Sequence, residues 1–351
     1  MPPFIDRSKS FFYDESMLKQ APFIHKGSSI IMIAPSFGAT TEPYLTRYQR
    51  SVENLSSLGF VIHEGENVHL DCGVASSNTP EKRAEEFMKA YASDNEVLLS
   101  VGGGELMDEM LPFVGFKKIS KLPPKWFIGY SDNTNLTFPL TTLCDVITVY
   151  GPCGTTYYEK PIRLSEKNTL LMLEGKKEFL GYPRFSSEVN DPSNPLHRLS
   201  LRKVKKITPI HYQKPFEGIL LGGCLDCLVT LCGTEFDGVK AFLRRHPNKK
   251  IVWFLEACDL NPLSIRRALF QLKEAGWFDH TSGFLFGRPL CQDQEMFSVN
   301  KVTATDILSD LHVPMLLDVD LGHIPPVLPM KCGAEVKVTY QDHNIKMEYQ
   351  E

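Results

Sequence analysis

Ser131 follows the apolar run Trp126 to Gly129 in the stretch Gly129-Tyr130-Ser131-Asp132-Asn133-Thr134. A helix fits from the next residue. A serine at such a strand-to-helix turn exposes its hydroxyl at the edge of a sheet. The free N–H groups of the helix start lie beside it and can stabilise a developing oxyanion. The Gly-x-Ser-x-Gly signature of other hydrolases is absent. On this pattern alone the serine also reads as a plain helix N-cap.

A serine nucleophile needs a base, and the base needs an orienting group. Among the ten histidines, His323 stands out in the loop Gly322-His323-Ile324-Pro325-Pro326, just beyond the apolar run Met315 to Val319. Active-site residues gather at such strand ends in open α/β sheets. Glu256 closes the run Ile251 to Leu255 and is a candidate partner for the imidazole, with Asp259, Asp318 and Asp320 as rivals. Gly102-Gly103-Gly104 follows another apolar run but lacks dinucleotide-binding spacing. It either lets a backbone N–H approach a ligand or makes a tight turn. Cys224 and Cys227 have Cys-x-x-Cys spacing, but no second ligand pair suggests zinc. They read as buried or neutral helix cysteines, and no carboxylate–histidine cluster suggests another metal.

The elements that must position these residues alternate. Ser29–Ala34, Phe60–His63, Val97–Val101, Trp126–Tyr130 and Val146–Tyr150 read as strands. Apolar residues at helical spacing predict helices over Glu42–Leu58 and from Thr79 through Tyr91, with a short helix near Leu106–Leu111. This order predicts a parallel sheet with helices on both faces. Residues 164–207 break the rhythm and read as a linker with a surface insertion. Their basic run, Arg202-Lys203-Val204-Lys205-Lys206, reads as a solvated loop, with a grip on an anionic substrate as the other possibility. A second alternating region follows and ends in a hairpin. Val336, Val338 and Tyr340 alternate outward, and Ile345, Met347 and Tyr349 alternate back.

Length and composition set the frame. The chain has 351 residues, 42% hydrophobic and 23% charged, with a net charge of −4. That is enough for more than one packed domain and is too acidic for a general nucleic-acid binder. Nine cysteines make a poor disulfide framework and fit a reducing compartment. No apolar run is long enough to cross a bilayer, and no secretory signal is evident near the start. The expectation is a cytoplasmic protein without membrane or nucleic-acid partners.

Several blocks in order resemble the LD-carboxypeptidase family of serine peptidases, which includes the microcin C immunity peptidases. They are Ala34-Pro35-Ser36, Gly103-Gly104, Gly129 to Thr134, Tyr150-Gly151-Pro152, Gly222-Gly223, Gly233-Thr234 and Phe254-Leu255-Glu256. Ser264 to Pro289 and Gly322-His323 with Leu328-Pro329-Met330 complete the set. The resemblance implies a flavodoxin-like N-terminal domain (1–165), a linker (166–206) and a C-terminal swivelling α/β domain (207–351). It implies Ser131 as nucleophile, His323 as base and Glu256 as orienting carboxylate. Backbone N–H groups of Gly103, Gly104 and Asp132 would form an oxyanion hole. No metal or cofactor is implied, and a homodimer is. The expected reaction releases terminal D-alanine from muropeptide tetrapeptides, as in peptidoglycan recycling. The alternative is microcin immunity: cleavage of the amide between an acidic aminoacyl group and a nucleotide analogue. A non-catalytic ligand-binding module is the alternative of another class. Gly102, Cys224 and Ala257 depart from the family pattern of Arg, Asn and Asp at those places.

Overall fold

The computed structural model describes residues 18–73, 75–188, 191–291 and 300–350. Two sheets organise them. In the first, the strands lie in the order Val61–Glu64, Ser29–Ile33, Val97–Ser100, Trp126–Gly129 and Thr148–Tyr150, all parallel. Numbered along the chain this order is 2-1-3-4-5, the flavodoxin-like arrangement. Met330–Cys332 returns from the C-terminal region and pairs antiparallel with Thr148–Tyr150. The central strands Val97–Ser100 and Trp126–Gly129 are buried throughout and mostly apolar because helices cover both faces of a parallel sheet, whereas the edge strand Val61–Glu64 is largely exposed.

The second sheet has eight strands. Its centre is parallel: Phe216–Cys224, Ile251–Glu256, Thr281–Gly287 and Met315–Val319. The predicted hairpin, Glu335–Gln341 with Asn344–Tyr349, extends one side antiparallel. Its turn residues Asp342 and His343 both have positive φ. Thr208–Ile210 closes the other side.

Residues 164–207 are more ordered than the sequence suggested. They contain the helix Leu164–Leu173, the edge strand Glu178–Leu180, and a ribbon of Arg184–Phe185 with Lys203–Val204. The helix shows no apolar stripe because Asn168 and Thr169 are buried along with Leu170, Met172 and Leu173. The basic run is also not wholly solvated. Lys205 is buried, and its ammonium lies 2.5 Å from the Asp320 carboxylate and 2.7 Å from Asn344 Oδ1. A cation buried this way needs such partners.

The helix Thr134–Cys144 joins the sheets. All its residues except Leu143 are buried. Phe138 stacks on Trp277 with ring centroids 5.1 Å apart and lies 6.3 Å from Trp253, both from the second half of the chain. Near the helix start, Thr134 Oγ1 accepts the Cys224 N–H at 3.0 Å. At its end, Arg245 pairs with Asp145. Its apolar side chains and its buried threonines face all round the helix, so it needs cover on every side, and the second sheet completes its burial. Phe138→Ala is expected to lower unfolding stability by about 3–5 kcal/mol. Urea denaturation checks this: an unchanged midpoint would show that the stack does not hold the halves together.

Candidate active site

The helix that joins the sheets also carries Ser131 into place. The strand Trp126–Gly129 ends, a 3₁₀ turn covers Ser131–Asn133, and the helix Thr134–Cys144 follows. Ser131 has φ +63°, a conformation costly for a residue with a Cβ. The surroundings hold it there. The Ser131 N–H donates to the Tyr150 hydroxyl at 3.0 Å. Asn133 Nδ2 donates to the carbonyls of Gly102 and Tyr130 at 2.9 and 3.0 Å.

Glu256 ends the strand Ile251–Glu256, whose six residues are all buried. His323 follows the strand Met315–Val319 through the turn at Gly322. His323 Nε2 lies 2.8 Å from Ser131 Oγ, and Nδ1 lies 3.0 Å from Glu256 Oε2. The other Glu256 oxygen accepts the Tyr150 hydroxyl. Of the rival carboxylates, Asp320 is taken by Lys205 and Arg288. Arg288 also donates to the main-chain carbonyl of Asp318. The charge of Asp259 helps to raise the Glu105 carboxyl, after burial.

Electrostatics follow from this packing. Burial works against a charged His323 ring. The Glu256 carboxylate and the Cys258 thiol outweigh it, so the imidazole titrates well above the ordinary histidine range. Burial and Glu256 together keep Tyr150 neutral. Burial pushes the Asp132 carboxyl up to about 6. It still accepts Ser36 Oγ at 2.5 Å, the Met107 N–H at 3.1 Å and Asn135 Nδ2 at 2.9 Å. Asp132 thus ties the loops after two other strands to the Ser131 turn. Its carboxylate serves this purpose, apart from any use of its backbone N–H.

The glycine loop sits against the serine. A Cβ on Gly103 would lie 3.4 Å from Ser131 Oγ. Among the described residues, the N–H groups of Gly103 and Gly104 donate to no protein acceptor. A cavity of about 580 Å³ opens over this loop, with Phe37, Glu105, Ser131, Cys258 and His323 in its wall. A second, of about 490 Å³, adjoins it. Tyr44, Arg47, Tyr130, Thr156 and His323 line both. Ser186, Ser187 and Glu188 of the expected insertion line the second.

The cysteine pair flanks the site without forming a metal cluster among the described residues. Cys224 ends its strand, and its Sγ lies 3.2 Å from Asp226 Oδ2. Cys227 Sγ lies 3.7 Å from the Ser131 carbonyl. Asp226 between them accepts the N–H groups of Cys258, Asp259 and Leu260, fixing the loop after Glu256.

Residue-by-residue reading missed Tyr150, Ser36 and Asp226. Tyr150 and Ser36 lie in two of the blocks that carry the resemblance, and Tyr150 ends an apolar strand. Their partners are distant in sequence, so only those blocks signalled them.

Residues 30–151 match the LD-carboxypeptidase N-terminal domain, and residues 217–338 match its C-terminal domain. The chain belongs to the LD-carboxypeptidase family. It is 25% identical over 318 residues to the Microcin C7 self-immunity protein MccF of Escherichia coli, covering 87% of this chain and 88% of that protein. It is 23% identical over 332 residues to a probable murein peptide carboxypeptidase of Bacillus subtilis, covering 93% of each. The structure of MccF in complex with glutamyl sulfamoyl guanosine superimposes with a TM-score of 0.79 at 23% identity, over 94% of this chain and 98% of that one. That likeness shows the two-domain fold.

Gly322 has φ +95°, and a Cβ there would lie 2.6 Å from Glu256 Oε2. Gly322→Ala is therefore expected to push the carboxylate off the imidazole. The His323 pKa, followed by NMR of its ring protons, should fall by about one unit or more. An unmoved titration would mean that Glu256 does not hold it up.

Proposed function

We propose that the protein is a serine hydrolase of peptide-like amide bonds. The observation that carries the reading is the continuous contact from Ser131 Oγ through His323 to Glu256, at 2.8 and 3.0 Å. Ser131 attacks the amide carbonyl while His323 Nε2 takes its proton. Glu256 holds the ring so that Nδ1 carries its hydrogen and stabilises the imidazolium. The tetrahedral oxyanion is met by the N–H groups of Gly103, Gly104 and Asp132. His323 then protonates the leaving amine, and water, activated by the same imidazole, hydrolyses the acyl-enzyme.

Two substrates fit this chemistry. The muropeptide reading is supported by the relative named as a murein peptide carboxypeptidase. It calls for a small leaving group, terminal D-alanine. The second reading, an aminoacyl group joined to a nucleotide-like amine, is supported by the two adjoining cavities that meet at His323. Each is large enough for a sizeable group on its side of the scissile bond. The similar protein MccF has been solved with glutamyl sulfamoyl guanosine. The geometry supports this second reading better.

A side-by-side assay on a muropeptide tetrapeptide and an aminoacyl sulfamoyl nucleoside decides between them. Faster cleavage of the tetrapeptide would reverse the preference. Ser131→Ala is expected to lower turnover by about 10⁴–10⁶-fold. It should also abolish labelling by a fluorophosphonate, and equal labelling of both proteins would remove Ser131 as nucleophile.

The pH dependence follows from the raised His323 pKa. Only the neutral imidazole accepts the serine proton, so activity rises as pH increases through that pKa. The acidic limb of kcat/KM should lie above the ordinary histidine value of about 6.5. A limb at or below that value would contradict the assigned coupling to Glu256.

A further inference from the structure

Glu256 has two oxygens, and His323 engages one of them. The other accepts the hydroxyl of Tyr150. A carboxylate only accepts hydrogen bonds, so Tyr150 is the donor in that contact. The phenol's lone pairs remain free, and they take the Ser131 N–H at 3.0 Å. The contacts therefore close a circuit: Ser131 N–H to Tyr150, Tyr150 to Glu256, Glu256 to His323, and His323 back to Ser131 Oγ.

The circuit crosses the molecule. Tyr150 ends an edgeward strand of the first sheet, and Glu256 ends a central strand of the second. Both are buried. The Tyr150 ring is held between Tyr130 and Phe254, with centroids 6.3 and 5.5 Å away. It has little freedom to turn its hydroxyl elsewhere.

We propose that Tyr150 is a positioning residue. It fixes the acid of one sheet to the backbone of the nucleophile on the other, and it moderates the pull of Glu256 on His323. This proposal rests on the serine-hydrolase reading above. It has two parts. The hydroxyl anchors Ser131 in its positive-φ turn through the N–H. It also draws negative charge toward itself on the far carboxylate oxygen. Less of that charge is then directed at the imidazolium, and the ring is more readily neutral when a substrate arrives.

Among the described residues, Cys258 and Glu105 neighbour His323 in the cavity wall, from the loop after Glu256 and the glycine loop. The Tyr130 ring lies 5.2 Å from the His323 ring and 6.3 Å from that of Tyr150. Cys224 faces Tyr150 from the end of its strand. Tyr150→Phe leaves all four in place and removes only the hydroxyl. In the variant, Glu256 loses its second donor. Its pull on His323 rises, and more of the imidazole is protonated at a given pH.

The test uses the rate of fluorophosphonate labelling of the full chain across pH. This readout needs no knowledge of the substrate. Tyr150→Phe is expected to slow labelling by about 10- to 100-fold and to move the acidic limb to higher pH. A purely structural loss would lower the rate equally at every pH and leave the limb where it was. That result, or an unchanged rate, overturns the proposal. If the wild-type protein is not labelled at Ser131, the hydrolase reading itself fails, which is a separate outcome. Should Tyr150→Phe not fold, amide hydrogen exchange in the wild-type chain decides. The Ser131 N–H should be strongly protected, and exchange at the rate of a free amide overturns the anchor.

Discussion

A carboxylate withdrawn from water must find charged or hydrogen-bonding partners, or its burial costs several kcal/mol. Glu256 is 2% exposed at the end of a strand that is buried throughout. Both of its partners come from elsewhere in the chain. Tyr150 comes from the first sheet and His323 from a loop of the second. Satisfying Glu256 therefore requires the ends of strands from the two sheets to meet at one place. The same approach sets His323 against Ser131. The polar demand of one buried acid and the alignment of the candidate site are a single constraint.

Packing supplies the force that meets it. The helix Thr134–Cys144 starts beside Ser131 and is covered on nearly every side. Phe138, Trp277 and Trp253 form its contact with the second half of the chain. Burial of each large aromatic contributes roughly 1.5–3 kcal/mol. One helix thus fixes the strained serine turn at its start and bonds the two sheets along its length. Asp132 adds a polar tie from the same turn to the loops bearing Ser36 and Met107.

Legibility in the sequence followed locality. Continuous apolar runs ending in Ser131, Glu256 and the glycines marked strand ends, because parallel strands buried on both faces must be apolar. The hairpin at 335–349 was readable from alternation, since one of its faces is more exposed. The helix Leu164–Leu173 was not, because its polar residues are buried and no stripe forms. Lys205 looked like part of a solvated basic run. Its partner Asp320 lies 115 residues away, and nothing local marks the pair.

By itself, the sequence determined the alternating architecture and the residue types available at each strand end. Through ordered blocks it also pointed to a family and to Ser131, Glu256 and His323. The tertiary structure decided which of the rival carboxylates faces the imidazole. It also decided that Tyr150 closes the circuit, and that two cavities rather than one meet at His323. The reason is physical. Strand and helix patterns depend on neighbours along the chain, whereas a hydrogen bond between residues 106 or 192 apart depends on how two packed sheets dock.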